Sequence, residues 1–169
     1  TSEENIKLTK ELNTEVFNMV LKSQDLETLR QDLTAYLKKA LNNGAKELVP
    51  EGMSSANFIS SQVKAIATPW MVFFMKHDPA PVLEKVSCPV LAINGEKDLQ
   101  VPPKENLIAI EQALQKGGNM NIKSIELPNL NHLFQESDTG SPSEYGAIEQ
   151  TFAPIALKTI SDWILEQVE

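Results

Sequence analysis

What this sequence has little of narrows it first. It holds one cysteine, Cys88, which rules out an internal disulfide and any cysteine-rich metal site. Cys88 sits in Val-Ser-Cys-Pro-Val ahead of an apolar run, and there it reads as a small buried hydrophobe. Basic residues are scarce, 15 Lys and Arg against 23 Asp and Glu, for a formal net charge of −8. A nucleic-acid groove or an anionic membrane surface calls for basic patches, so this balance argues against both as partners. No stretch approaches the roughly 18–20 apolar residues of a membrane span. Internal repeats and low-complexity runs are lacking as well. The chain opens Thr-Ser-Glu-Glu, with neither an initiator Met nor a basic, signal-type start. A cut by processing or by design is the expected cause. That leaves open a signal peptide on a longer parent, and with it the compartment, cytoplasmic or exported.

What remains is ordinary for a soluble globular protein: 169 residues, 41% hydrophobic and 22% charged. The length suits one domain, or a small domain with an appendage. The first ~75 residues carry helical periodicity and no strand signal. Ile6, Leu12, Val16, Met19 and Val20 recur at helical spacing, and Leu26, Leu29, Leu33, Tyr36, Leu37, Ala40 and Leu41 do so more cleanly. Asn42-Asn43-Gly44 predicts a helix stop. Phe58, Ile59, Val63 and Ile66 predict a third helix, and Thr68-Pro69-Trp70 a cap opening a short fourth.

The period changes at Asp78-Pro-Ala-Pro81, where two prolines predict a rigid, extended connector. Beyond it the pattern alternates. Val90 to Asn94 and Ile122 to Leu127 read as strands, with helices over Lys104 to Lys116 and roughly Glu149 to Val168. In that last helix Phe152, Ile155, Ala156, Ile160, Trp163 and Ile164 are expected to share one side. Ser137 to Gly146 is the most loop-like segment. Strands separated by crossover helices predict parallel pairing. The fold class is therefore α/β, with a helical segment over 1–76 and a βαβα part over 77–169. Two parallel strands make a thin sheet, since parallel sheets normally extend over several strands covered on both faces.

Two polar residues follow the two strands. Asp98 comes four residues after the first and His132 five after the second. Functional groups of a parallel α/β sheet gather at the carboxyl ends of its strands. Adjacent strands lie ~4.8 Å apart, so the two loops are expected to emerge side by side. A carboxylate on one imidazole nitrogen fixes its tautomer and leaves the other nitrogen for a nucleophile. Each residue also has a bland reading, Asp98 as a turn former and His132 as a loop residue. His77 reads as a connector or surface residue and Asp78 as a turn residue. Metal binding has no ligand spacing behind it. Trp70, Phe73 and Phe74 are core candidates that could instead line an apolar substrate pocket. Ser54, Ser55, Ser141 and Ser143 lack the strand–turn–helix setting of a nucleophile, and no Gly-x-Ser-x-Gly occurs.

The stretch from Asp78-Pro to Gly95-Glu-Lys-Asp98 resembles the approach to the acid strand of bacterial α/β-hydrolases, and Pro128-Asn-Leu-Asn-His132-Leu-Phe resembles their histidine loop. Thr68-Pro-Trp, Gly95-Glu-Lys-Asp98-Leu-Gln-Val-Pro-Pro103 and Thr139-Gly-Ser-Pro-Ser-Glu-Tyr145 are more specific. Together they are similar to EstD-type carboxylesterases, well over residues 68–169 and loosely, as a helical cap or lid, over 1–67. The resemblance implies the C-terminal portion of an α/β-hydrolase fold: the last parallel strands with flanking helices, after the cap. It implies Asp98 as triad acid, His132 as general base, a small ester as substrate, and neither metal nor organic cofactor. The serine and the oxyanion-hole donors would then lie on a missing N-terminal half, which becomes the main partner, and the chain alone should be inactive. Peptidase and thioesterase activity stay open within the fold. A non-catalytic interaction module, self-associating through a bare sheet edge or the cap, is the reading from another class.

Overall fold

The computed structural model describes residues 3–168; the outer limits at 1 and 169 lie outside the described residues. The described residues are mixed α/β, with seven α-helices and a two-stranded parallel sheet. The chain divides into two compact units between His77 and Asp78.

The first unit is all helix: α1 (Glu3–Lys22), α2 (Leu26–Asn42), a 3₁₀ turn (Ala45–Leu48), α3 (Ser55–Ile66) and α4 (Pro69–Lys76). Local chemistry sets each start. The Asp25 carboxylate accepts the Thr28 N–H at 2.8 Å, Ser54 caps α3, and Thr68 caps α4 with Pro69 in its first turn, where a missing N–H costs nothing. In α2, Leu29, Leu33, Leu37 and Leu41 stand one turn apart and are all buried. Burying each contributes about 1.5–3 kcal/mol. With Val16, Val20, Ile59 and Val63 they form the unit's core. Asn43 closes α2, and Gly44 turns the chain away at φ 117°.

The second unit holds α5 (Ala80–Leu83), β1 (Val90–Gly95), α6 (Pro103–Lys116), β2 (Ile122–Leu127), a 3₁₀ turn (Pro142–Glu144) and α7 (Pro154–Glu166). The strands pair in parallel, from Val90 opposite Ile122 to Gly95 opposite Leu127. The crossover helix α6 packs on both of them. Ile93 and Ile125 pack with Ala153 and Ala156 at the start of α7, and Lys123 reaches Glu166 at 3.0 Å near its end. The two alanines are wholly buried, so α7 lies close against the sheet.

Four expectations need correction. The Asp78-Pro-Ala-Pro81 segment is not extended: it opens α5, because prolines in a first turn need no N–H and Asp78 accepts the Ala80 N–H at 3.0 Å. The last helix begins at Pro154 rather than Glu149, since a proline is tolerated at the first helical position and not inside. Phe152 therefore precedes α7, and Ile155 and Ile164 are exposed, away from its buried face. Cys88 is exposed rather than buried: it precedes Pro89 and β1, and its backbone carbonyl accepts from Asn119 Nδ2.

Candidate active site

The register carries the site. With Gly95 opposite Leu127, both strands end at the same level. The turn after β1 and the loop after β2 are then stitched together. Glu96 N–H donates to Leu127 O at 2.8 Å and Lys97 N–H to Leu130 O at 2.9 Å. Glu96 accepts the Asn129 N–H at 2.8 Å, and Lys97 Nζ donates to Ser137 O at 2.8 Å. Gly95 makes this approach possible: a Cβ there would fall 2.3 Å from Leu130 O and 2.6 Å from Asn131 O. Gly140 does the same further along, at φ 79° and with Lys97 O where a side chain would begin.

Asp98 is 7% exposed and His132 faces it, with Nδ1 2.9 Å from Asp98 Oδ2. The other carboxylate oxygen accepts the N–H groups of Gln100 at 2.9 Å and Val101 at 2.8 Å. Burial alone pushes the Asp98 carboxyl up. The Val101 N–H, the His132 ring and the Gln100 N–H more than offset this, and the group sits below its ordinary value of 3.8. An ionised carboxylate only accepts, so the proton of neutral His132 belongs on Nδ1 and Nε2 carries the free lone pair. The His132 side chain is 37% exposed, open enough for Nε2 to meet a reacting group.

The histidine loop owes its shape to Asn131, which is fully buried. Its side-chain oxygen accepts from Leu133 N–H at 2.9 Å and Gln135 N–H at 3.0 Å, while its amide donates to Gln135 Oε1. Gln135 in turn donates to Gln150 O. Phe134 closes the turn at φ 56°, a conformation costly for a bulky residue. Packing on Phe152, with ring centroids 5.3 Å apart, and the Ala153 N–H on its carbonyl hold it there.

The segment 137–146 is a hydrogen-bonded turn rather than a loose loop. Glu144 accepts from the Ser137 hydroxyl, from Thr139 Oγ1 at 2.6 Å and from Thr139 N–H at 3.1 Å. These bonds, that of Ser137 foremost, lower its carboxyl from 4.5 to about 2. Tyr145 accepts from Gln100 Nε2 at 2.8 Å, tying this turn to the acid turn. A cavity of about 550 Å³ lies beside the loop, lined by Lys97, Asn129, Leu130, Glu144, Ile148 and Ile155 among others. Neither Asp98 nor His132 lines it.

The remaining candidates fall elsewhere. Trp70, Phe73 and Phe74 lie on α4 and are 65%, 66% and 62% exposed, outside the core of their unit. Trp70 stacks on Phe74 at 5.2 Å, and Phe73 on His77 at 5.4 Å. His77 is the last cap of α4. Ser54 is spent on its cap, and Ser141 shares a hydrogen bond with Ser143. Among the described residues, no three His, Cys, Asp or Glu gather as metal ligands would, and no helix is long and apolar enough to cross a membrane. Sequence reasoning missed Asn94, Asn131, Gln135 and Glu144. For Asn94, Asn131 and Gln135 the signal was a polar residue inside or directly after apolar residues; Glu144, after Gly140-Ser-Pro-Ser143, carried none.

A carboxylate, an oriented imidazole and an open Nε2 define an acid–base pair able to take a proton from a hydroxyl and return it. Neither a family model, nor a curated protein, nor a solved structure matches the chain.

Proposed function

We propose that this chain carries the acid and base of a Ser-His-Asp hydrolase, a carboxylesterase whose serine lies outside these 169 residues. The supporting observation is the Asp98–His132 pair: a buried, ionised carboxylate 2.9 Å from Nδ1, at the carboxyl ends of adjacent parallel strands. In the intact enzyme His132 Nε2 removes the serine proton as the hydroxyl attacks an ester carbonyl. The imidazolium then protonates the departing alcohol, and water, activated in the same way, releases the acid. Asp98 holds the ring and stabilises its charge throughout. The Gln100–Tyr145 hydrogen bond, which ties the turn after His132 to the acid turn, supports a rim for this site there.

A second reading draws on the sheet, whose two strands each leave an outer edge unpaired among the described residues. Bare edges recruit other strands, which suits a non-catalytic interaction module. A fluorophosphonate probe separates the two. We expect the parent polypeptide to take up one equivalent, on a serine outside this segment, and the isolated segment to take up none and to show no burst with p-nitrophenyl butyrate. Labelling of a serine within the segment, or an unlabelled parent, overturns the hydrolase reading as stated. An unlabelled chain that associates with rising concentration favours the module.

A further inference from the structure

We propose that Asn94 is the positioning residue of the acid, clamping the Asp98 oxygen that faces His132. The inference rests on the acid–base reading of that pair and adds a third member to it. Asn94 is the fifth residue of β1, in a run of apolar neighbours, and is only 8% exposed. Its Nδ2 donates to Asp98 Oδ2 at 3.1 Å and to Val101 O at 3.0 Å. Both partners only accept, so the amide orientation is fixed by chemistry: its NH₂, and not its oxygen, must face them.

The clamp closes a ring. Val101 N–H holds Asp98 Oδ1, Asn94 holds Oδ2, and the second Asn94 N–H returns to the Val101 carbonyl. Without Asn94, Oδ2 keeps His132 as its one side-chain partner, and the carboxylate can turn about its Oδ1 anchor, carrying the ring with it. The alignment of Oδ2 with His132 Nδ1 is then no longer fixed. Two N–H groups on a single short side chain are required here. Serine offers one donor, aspartate offers none and adds a negative charge beside Asp98, and glutamine is one carbon too long.

The test is nitrogen-15 NMR on the unsubstituted protein and on Asn94→Leu and Asn94→Asp. In the unsubstituted protein we expect neutral His132 to be protonated on Nδ1, and the Asn94 side-chain NH₂ signals to move together with the ionisation of Asp98. In Asn94→Leu the ratio of Nδ1–H to Nε2–H forms should fall about tenfold, the scale of one lost hydrogen bond to a charged group. Asn94→Asp should lower it further and raise the Asp98 midpoint. A packing role alone would leave the tautomer unchanged. An unchanged ratio in a folded variant therefore overturns the proposal, as do Asn94 signals that ignore the Asp98 titration, a result that needs no variant. His132 protonated mainly on Nε2 in the unsubstituted protein is a different failure, because it removes the acid–base pair itself.

Discussion

At Asp98 each carboxylate oxygen meets two donors, and the two sides differ in kind. Oδ1 takes backbone N–H groups of its own turn, which any sequence with this turn supplies. Oδ2 takes two side chains, Asn94 and His132, which only these residues supply. Ionisation is favoured in the folded chain, so the folded value lies below the unfolded one. The stability this contributes is present above about 3.9 and is lost as pH falls through the lower folded value. Gly95 is the other residue on which the pair depends. Gly95→Ala places a methyl against the Leu130 and Asn131 carbonyls, and we expect it to cost about 1–3 kcal/mol in denaturant unfolding and to blur the His132 tautomer. A variant as stable as the parent, with an unchanged His132 spectrum, would show that the loop does not rest on this glycine.

Among the elements, the one after β2 is least like its outward appearance. Its Gly, Ser and Pro content reads as a loop, yet Glu144 gathers Ser137 and Thr139 into a turn held to the acid turn through Lys97 and Gln100. Because its carboxyl is lowered from 4.5 to about 2, this turn should keep its order as pH falls past 4.5 and lose it only near 2. The Thr139 amide signal reports it: a midpoint near 2 is expected, and one near 4.5 would mean Glu144 is not held. Glu144→Gln should abolish the titration and speed amide exchange at Thr139. The helices and strands themselves were legible where one period ran unbroken, as in the α2 leucines or Val90 to Ile93. Proline accounts for both misplaced ends of the second unit: the residue that stiffens a connector also fits the first turn of α5, and Pro154 bars a helix from running through it from Glu149. Cys88 was misjudged for a related reason: small apolar character says nothing about whether a neighbour arrives to cover it.

Over the whole molecule, two units of different character share one chain: a helical unit built on a leucine stripe, and a two-stranded α/β unit that carries the acid–base pair. Asp98 and His132 could be singled out from the sequence because apolar runs deliver them to strand ends. Their 2.9 Å contact could not, since it depends on the Gly95–Leu127 register, set by pairing across 32 residues of chain. Asn94 showed only as a polar residue closing an apolar run; its role could not be read, because its two partners come from a turn whose shape the fold defines. The central claim is that Asp98 and His132 work as one unit on a serine. Its most direct test is kcat/KM of the parent polypeptide on p-nitrophenyl butyrate with Asp98→Asn, His132→Ala and both together. We expect each single change to lower kcat/KM by about 10³–10⁴ or more, and the double variant to be scarcely worse than His132→Ala, because members of a triad are not additive. A single variant with undiminished rate, or losses that multiply in the double variant, would contradict it.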